Sequence, residues 1–451
     1  MIRPRPTSLP LLPAVLAVLA VLSGVAIVIV IVIAIAPGHA LAGGPTEVPS
    51  GVGYELIGTY DLARLDKIQT TELVEQGFAD KAPTTFPRAR YAVKLYRVTY
   101  RSVVPEQSNR RTIATGLLAV PESGARAMPV VSYQHGTVFS KDEVPSFPEK
   151  SMETRLMVAR FAGQGYVVIA ADYFGKGLSA EPDSYLVKES TQQACLDMLW
   201  ASRSVLASMK VAPLELYLSG WSQGGWSTLV FLQKLESLGI PVKAATASAP
   251  TDLYVTMNRW IGNHQPIDAV FLTGVVTLQI LAHEAYFGRE GLAASALRHD
   301  VLLACRDLYA NRIDWTTFQG KTPGTVKEML LPEFIALGAS GSSAHRRPIE
   351  DDNPVEETRQ LHGHHPAAAY WKTIQDDNGY RWRSVTTMRN YYGDVDEVVP
   401  VPIAKLPELV QGLMAGGPTT AVAAGAKADH RGTFLFEVED AGKWFDGLRS
   451  R

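Results

Sequence analysis

Three residues of this 451-residue chain have types and an order along the sequence suited to nucleophilic acyl chemistry: Ser222, Asp396 and His430. Ser222 sits in Gly220-Trp221-Ser222-Gln223-Gly224, directly after the apolar run Leu214 to Leu218. That arrangement has the form of a nucleophile elbow, in which a strand turns sharply into a helix and holds one hydroxyl proud of a sheet. Glycines on either side suit a turn so tight that neighbouring backbone leaves little room for Cβ atoms. A serine hydroxyl attacks poorly until an adjacent imidazole removes its proton. In wound α/β sheets the partners follow in the order Ser, acid, His, so both should lie downstream.

The acid is expected in Tyr391-Tyr392-Gly393-Asp394-Val395-Asp396-Glu397-Val398-Val399-Pro400, a strand entering a turn dense with carboxylates. Asp396 is the first choice, with Asp394 behind it and Asp252 less suited. A carboxylate there would hold the imidazole in the right tautomer and stabilise its cation. The base is expected at His430, the only histidine after His365. Oxyanion donors should come from the backbone N–H of Gln223 and from the loop Gln134-His135-Gly136-Thr137, through Thr137 or Gly136. His135 lies upstream of the serine and reads as structural. His362, His364 and His365 are adjacent in one stretch, but no cysteine or carboxylate is spaced to close a tetrahedral site. They read as a solvated loop, so no metal is expected.

The elements that would position these groups can be followed along the chain. Ala92 to Val104 and Thr112 to Val120 read as a strand pair joined by the polar segment Pro105 to Arg111. Met128 to Tyr133, Tyr166 to Ala171, Leu214 to Leu218 and Val242 to Ala247 are short apolar strands. Between them Glu153 to Ala162, Glu189 to Ala207 and Gly225 to Leu238 carry helical spacing. Alternation of this kind predicts a parallel sheet covered on both faces, with right-handed crossovers. From Thr251 to Leu337 only helical segments appear: Asp268 to Tyr286, Gly291 to Tyr309 and Thr325 to Leu337. Phe271, Leu272, Val275, Val276, Leu278, Ile280 and Leu281 read as one buried helix rather than an acyl-chain groove. Strands return at Ser384 to Tyr392 and Thr419 to Ala424, and a closing helix runs from Phe434 to Leu448. Gly338 to Ser343 and Arg346 to Glu357 read as a mobile loop.

A formal net charge of −2 with acids and bases mixed along the chain gives no electrostatic support to nucleic-acid binding. The first 42 residues are distinct. Arg3 and Arg5 precede an uncharged stretch from Leu9 to Ala36, and Ala40-Leu41-Ala42 offers small residues at a cleavage position. These features describe a secretory signal, although Ala14 to Ala36 is long enough to serve instead as a membrane anchor. Either way the remainder is expected outside the cytoplasm, secreted or tethered, and Gly43 to Gly53 reads as a tether. Cys195 and Cys305 could form one disulfide in an oxidising compartment or stay as two buried thiols. Expected domains are therefore 1–42 as signal peptide or anchor, 43–250 as the first part of an α/β core, 251–345 as a helical insertion, and 346–451 as the second part of the core.

The chain resembles the α/β-hydrolase superfamily, and within it the exported lipase and esterase branch that includes the secretory lipases. The resemblance is carried by Tyr133-Gln134-His135-Gly136-Thr137, Ala171-Asp172-Tyr173-Phe174-Gly175-Lys176-Gly177, Ser184-Tyr185-Leu186, Gly220-Trp221-Ser222-Gln223-Gly224-Gly225, Gly393-Asp394-Val395-Asp396 with Val398-Val399-Pro400, and His430. It covers roughly Tyr91 to Ala249 and Ser384 to Leu448. It implies an α/β fold with a mostly parallel eight-stranded sheet, a helical lid in the insertion, no cofactor, and hydrolysis of a small-molecule or lipid ester. The superfamily's acid position falls on Asp396. A peptidase or amidase, or an acyltransferase, would use the same triad, and a catalytically silent binding module would share the fold.

Overall fold

Strands buried on both faces read as unbroken apolar runs, and Val167–Ala171, buried at every residue, lies inside the sheet for that reason. The computed structural model describes residues 46–48, 51–78, 85–262, 264–343 and 366–449. Its strands are β1 (Thr46–Val48), β2 (Val52–Tyr60), β3 (Val93–Val104), β4 (Arg110–Pro121) and β5 (Ala127–Gln134). They continue with β6 (Val167–Ala171), β7 (Ala212–Trp221), β8 (Ala244–Ser248), β9 (Met388–Tyr392) and β10 (Thr419–Ala423). All join one sheet in the order β1-β2-β3-β4-β6-β5-β7-β8-β9-β10. Pairings from β1 through β4 to β6 are antiparallel, and every pairing from β6 to β10 is parallel.

The expected eight strands are β3 to β10; β1 and β2 extend the antiparallel edge. Part of the stretch expected to be a tether is therefore strand. Val48 and Val52 are buried against the core, and Gly51, at φ 71°, makes the turn between them. The Gly51 N–H closes that turn on the Val48 carbonyl at 2.9 Å.

Side chains of successive strand residues point to opposite faces. Val130, Leu216 and Leu218 pack toward helices α2 (Lys188–Ser208) and α3 (Gln223–Ser237). Val131 and Tyr217 pack toward α1 (Met152–Phe161) and the closing helix α12 (His430–Arg449). The sheet is thus a layer between two apolar cores, as the alternation of strands and helices requires.

Between β8 and β9 the chain is helical: α4 (Leu253–Gly262), α5 (Leu272–Tyr286), α6 (Leu292–Ala296), α7 (His299–Tyr309), α8 (Trp315–Gln319), α9 (Val326–Met329), α10 (Pro332–Ser343) and α11 (Pro366–Asp376). Leu272, Val276, Leu278, Ile280 and Leu281 of α5 are buried as one helix. Two segments expected as single helices are each split in two, at Leu297–Arg298 and at Leu330–Leu331, where Leu297 and Leu330 form a backbone bridge. The insertion also reaches past 345. Trp371 of α11 donates its indole N–H to the Phe334 carbonyl of α10 at 3.0 Å, which packs α11 with the insertion rather than with the second part of the core. Gly338 to Ser343, expected as loop, is helical, and Gly338 leaves the space that the Trp371 ring fills.

Cys195 and Cys305 are both buried and unpaired, so the two-thiol reading holds. Residues 1–42, Arg346 to Glu357, and His362, His364 and His365 lie outside the described residues. Among the described residues no helix is long and apolar enough to cross a membrane.

Candidate active site

The β7 strand ends at Trp221 and α3 begins at Gln223, leaving Ser222 alone in the turn at φ 60°, ψ −119°. A non-glycine residue at positive φ costs on the order of 1–3 kcal/mol and persists only where its surroundings fix it. Two contacts do so here. The Ser222 N–H donates to the Ser248 carbonyl of β8 at 2.9 Å, and the Trp226 N–H donates to the Ser222 carbonyl at 3.2 Å. A Cβ at Gly224 would collide with the Gln134 carbonyl, and one at Gly220 with the Gly224 carbonyl. The glycines flanking Ser222 are thus required by backbone lying against backbone.

Asp396 lies in the turn after β9 and is buried, as is His430. The His430 Nδ1 stands 3.0 Å from Asp396 Oδ1 and 2.9 Å from Oδ2. His430 Nε2 stands 2.8 Å from Ser222 Oγ. A carboxylate on Nδ1 places the ring proton there and turns the Nε2 lone pair toward the serine hydroxyl. Asp396 Oδ1 also accepts the N–H groups of Val398 at 2.9 Å and Val399 at 2.7 Å, which lock its orientation. Burial works to lower the His430 pKa, but the adjacent Asp396 outweighs it and holds the imidazole above its ordinary 6.5.

The sequence predicts His430 in a loop ahead of the closing helix. It is the first residue of α12, because the Asp429 carboxylate caps the helix by accepting the Gly432 N–H at 2.8 Å. The His430 N–H itself donates to Glu397 Oε2 at 3.1 Å. Asp394 is exposed and Asp252 bonds Tyr380 and the Val255 N–H, so neither joins the Ser222–His430 pair.

Of the two candidates in the loop after β5, the Gly136 N–H donates to Glu153 Oε1 at 2.9 Å. The N–H groups of Thr137 and Gln223 donate to no other group among the described residues, and both residues line the cavity that Ser222 lines. The Thr137 hydroxyl is tied to the Tyr185 hydroxyl at 2.7 Å. His135 is structural, as expected: its ring stacks on Tyr173 at 4.3 Å and burial pushes its pKa down to about 4.

Two further buried acids lie beside the Ser222 turn and carry no local signal in the sequence. Glu153 is the second residue of α1 and looks like an ordinary first-turn carboxylate, and only the folded chain brings it onto the Gly136 N–H. Burial pushes its pKa up to about 7. Glu437 of α12 accepts from the Ser219 hydroxyl at 2.8 Å and also from Thr246, and burial pushes it up to about 7 as well.

Two depressions meet at the Ser222–His430 pair. One, of about 390 Å³ with its mouth, is lined by Ser222, Gln223 and Thr137 and by apolar residues of the insertion. The other, of about 1140 Å³ and open to solvent, is lined by His430 and Trp221 and by the charged side chains of Glu143, Lys150 and Arg431.

The fold has clear likenesses among solved structures. A putative hydrolase from Legionella pneumophila superposes with a TM-score of 0.72 at 19% identity, over 88% of this chain and 97% of that one. The rice cell wall degrading esterase LipA from Xanthomonas oryzae gives 0.70 at 19% identity, again over 88% and 97%. The chain has the α/β-hydrolase fold. Candida antarctica lipase A in its closed state is more distant, with a TM-score of 0.55 at 15% identity over 75% of this chain and 73% of that one. No protein-family model and no curated protein matches the sequence. In α/β-hydrolase terms Ser222 occupies the elbow, Asp396 the turn after the penultimate strand, and His430 the segment after the last.

Proposed function

We propose that the protein is an exported serine hydrolase that cleaves carboxylic esters through an acyl-enzyme. The observation that carries this reading is one unbroken hydrogen-bonded chain: Asp396 to His430 Nδ1 at 2.9 Å, then His430 Nε2 at 2.8 Å to the Oγ of Ser222, whose backbone is held at positive φ. His430 Nε2 takes the Ser222 proton as Oγ attacks the ester carbonyl. The developing oxyanion is held by the N–H groups of Gln223 and Thr137, which have no competing partner. Asp396 stabilises the imidazolium, and His430 returns the proton to the leaving alcohol. Water then enters and gives a proton to His430 as its oxygen bonds the acyl carbon; the bond from that carbon to Ser222 Oγ breaks, and His430 returns the proton to Oγ as the acid leaves. Export is supported by the basic start, apolar stretch and Ala40-Leu41-Ala42 of the first 42 residues.

The reading is tested with p-nitrophenyl esters of graded acyl length beside a chromogenic peptide and a glycerol acceptor assay. Turnover of esters by the wild type, lost in Ser222→Ala, supports it. Peptide cleavage or acyl transfer to glycerol without ester hydrolysis would replace it with the peptidase or acyltransferase reading.

A further inference from the structure

The two depressions at the triad differ in kind, and their chemistry follows from which triad member each contains. A leaving alcohol must depart on the side of the imidazole that protonates it. Of the two, the large open groove is the one lined by His430, so the alcohol side is that groove. The smaller cavity contains Ser222, Gln223 and Thr137 but not His430, so it faces the acyl carbon once the carbonyl oxygen points at the two N–H donors.

One side chain of the insertion stands between them. Phe271, directly before α5, lines the small cavity, the His430 groove, and a third depression beside Trp315. Its ring is held by core and insertion together, 5.0 Å from Phe139 of the oxyanion-side loop and 6.0 Å from Trp315. Phe139 and Trp315 stack at 4.6 Å, and Gly274 of α5 leaves the space their rings occupy. The backbone before Phe271 is fixed to the acid's turn, since the Ala269 N–H donates to the Glu397 carbonyl at 3.2 Å. The rest of the small cavity's apolar lining includes Leu253, Trp260 and Val275, all buried.

Resting on the ester-hydrolase reading, we propose that Phe271 is the wall ending the acyl subsite, and that the protein acts on esters of short acyl chains. The alcohol, whatever its bulk, lies in the open groove. A chain that outgrows the small cavity meets the Phe271 ring. Removing that ring joins the cavity to the depression beside Trp315 and gives a long chain an exit.

The experiment measures kcat/KM of wild type, Phe271→Ala and Phe271→Leu on p-nitrophenyl acetate, butyrate, octanoate and palmitate. The wild type should fall steeply beyond butyrate. Phe271→Ala should raise the octanoate-to-butyrate ratio about tenfold or more, the usual worth of one or two methylenes in an apolar pocket, with Phe271→Leu between the two. Phe271→Leu keeps most of the packing against Phe139, so it tests the ratio even if the alanine variant does not fold. A wild type that prefers palmitate, or a ratio unchanged in both variants, would overturn the role of Phe271 while leaving the hydrolase reading intact. No turnover of any ester by the wild type would overturn both.

Discussion

Trp221 and His430 are joined twice. The indole N–H of Trp221 donates to the His430 carbonyl at 3.0 Å, and the two rings lie 4.8 Å apart. Trp221 therefore holds the backbone of His430 and lies against its ring, and Phe434 stacks on the same indole at 4.9 Å. Strand end and closing helix are registered to each other at the point where Nε2 meets Oγ. Trp221→Phe keeps an aromatic ring and removes the hydrogen bond. At about 1 kcal/mol for such a bond, kcat should fall several-fold with little change in melting temperature, as steady-state kinetics and thermal unfolding would record.

The pH dependence follows from His430. Nε2 must be unprotonated to take the serine proton, and Asp396 holds the imidazole above its ordinary 6.5. kcat/KM should therefore rise with pH through an inflection above 6.5 and level off on the alkaline side. Asp396→Asn removes the charge that raises the pKa and misplaces the ring proton. It should lower the inflection and cut turnover by about three to four orders of magnitude. An inflection that does not move in Asp396→Asn would contradict the pairing of the two residues.

Gly224→Ala tests the elbow's packing. The new methyl would meet the Gln134 carbonyl, which belongs to β5 and cannot yield without moving the strand beside β7. A loss of several kcal/mol in denaturant unfolding is expected, at the upper end for single substitutions. Gly239→Ala gives the contrast: its positive φ costs only about 1 kcal/mol and its Cβ position is open.

Stability should fall as pH rises through neutrality. Glu437 has an ordinary value of 4.5 raised to about 7 by burial. The folded state then keeps a proton that the unfolded chain releases, so this group's contribution is complete below about 4.5 and is lost as pH passes 7. Glu437→Gln keeps an acceptor for Ser219 and Thr246 without the charge. The drop in melting temperature between pH 5 and pH 8 should shrink by several degrees, the equivalent of about 3 kcal/mol at most. Glu153, raised to about 7 by the same cause, leaves a residual slope.

The core of the fold was legible because its strands announce themselves. Val167–Ala171 is apolar on both sides, Leu214 to Leu218 is apolar apart from Glu215, and each of Ser222, Asp396 and His430 follows a strand. The order Ser, acid, His then leaves His430 without a rival. What could not be read depends on tertiary contact. Val48 and Val52 sit in a glycine- and proline-rich stretch whose composition hides the strands; they pair with each other across the β1–β2 turn, and β2 in turn pairs with β3. Glu153 carries no local signal of its hold on Gly136. The start of α12 at His430 was within reach, since Asp429 three residues before Gly432 is a helix-capping signal. The insertion was legible as helix but not as a shape. Its breaks at Leu297–Arg298 and Leu330–Leu331 come from a backbone bridge between residues far apart in sequence.

The central claim is that Ser222 is an activated nucleophile, and covalent labelling tests it most directly. Folded wild-type protein treated with a fluorophosphonate probe should acquire one adduct, mapped to Ser222 by peptide mass spectrometry, and His430→Ala should label slower by orders of magnitude. Folded protein that acquires no adduct at Ser222, or that labels equally fast without His430, would contradict the account.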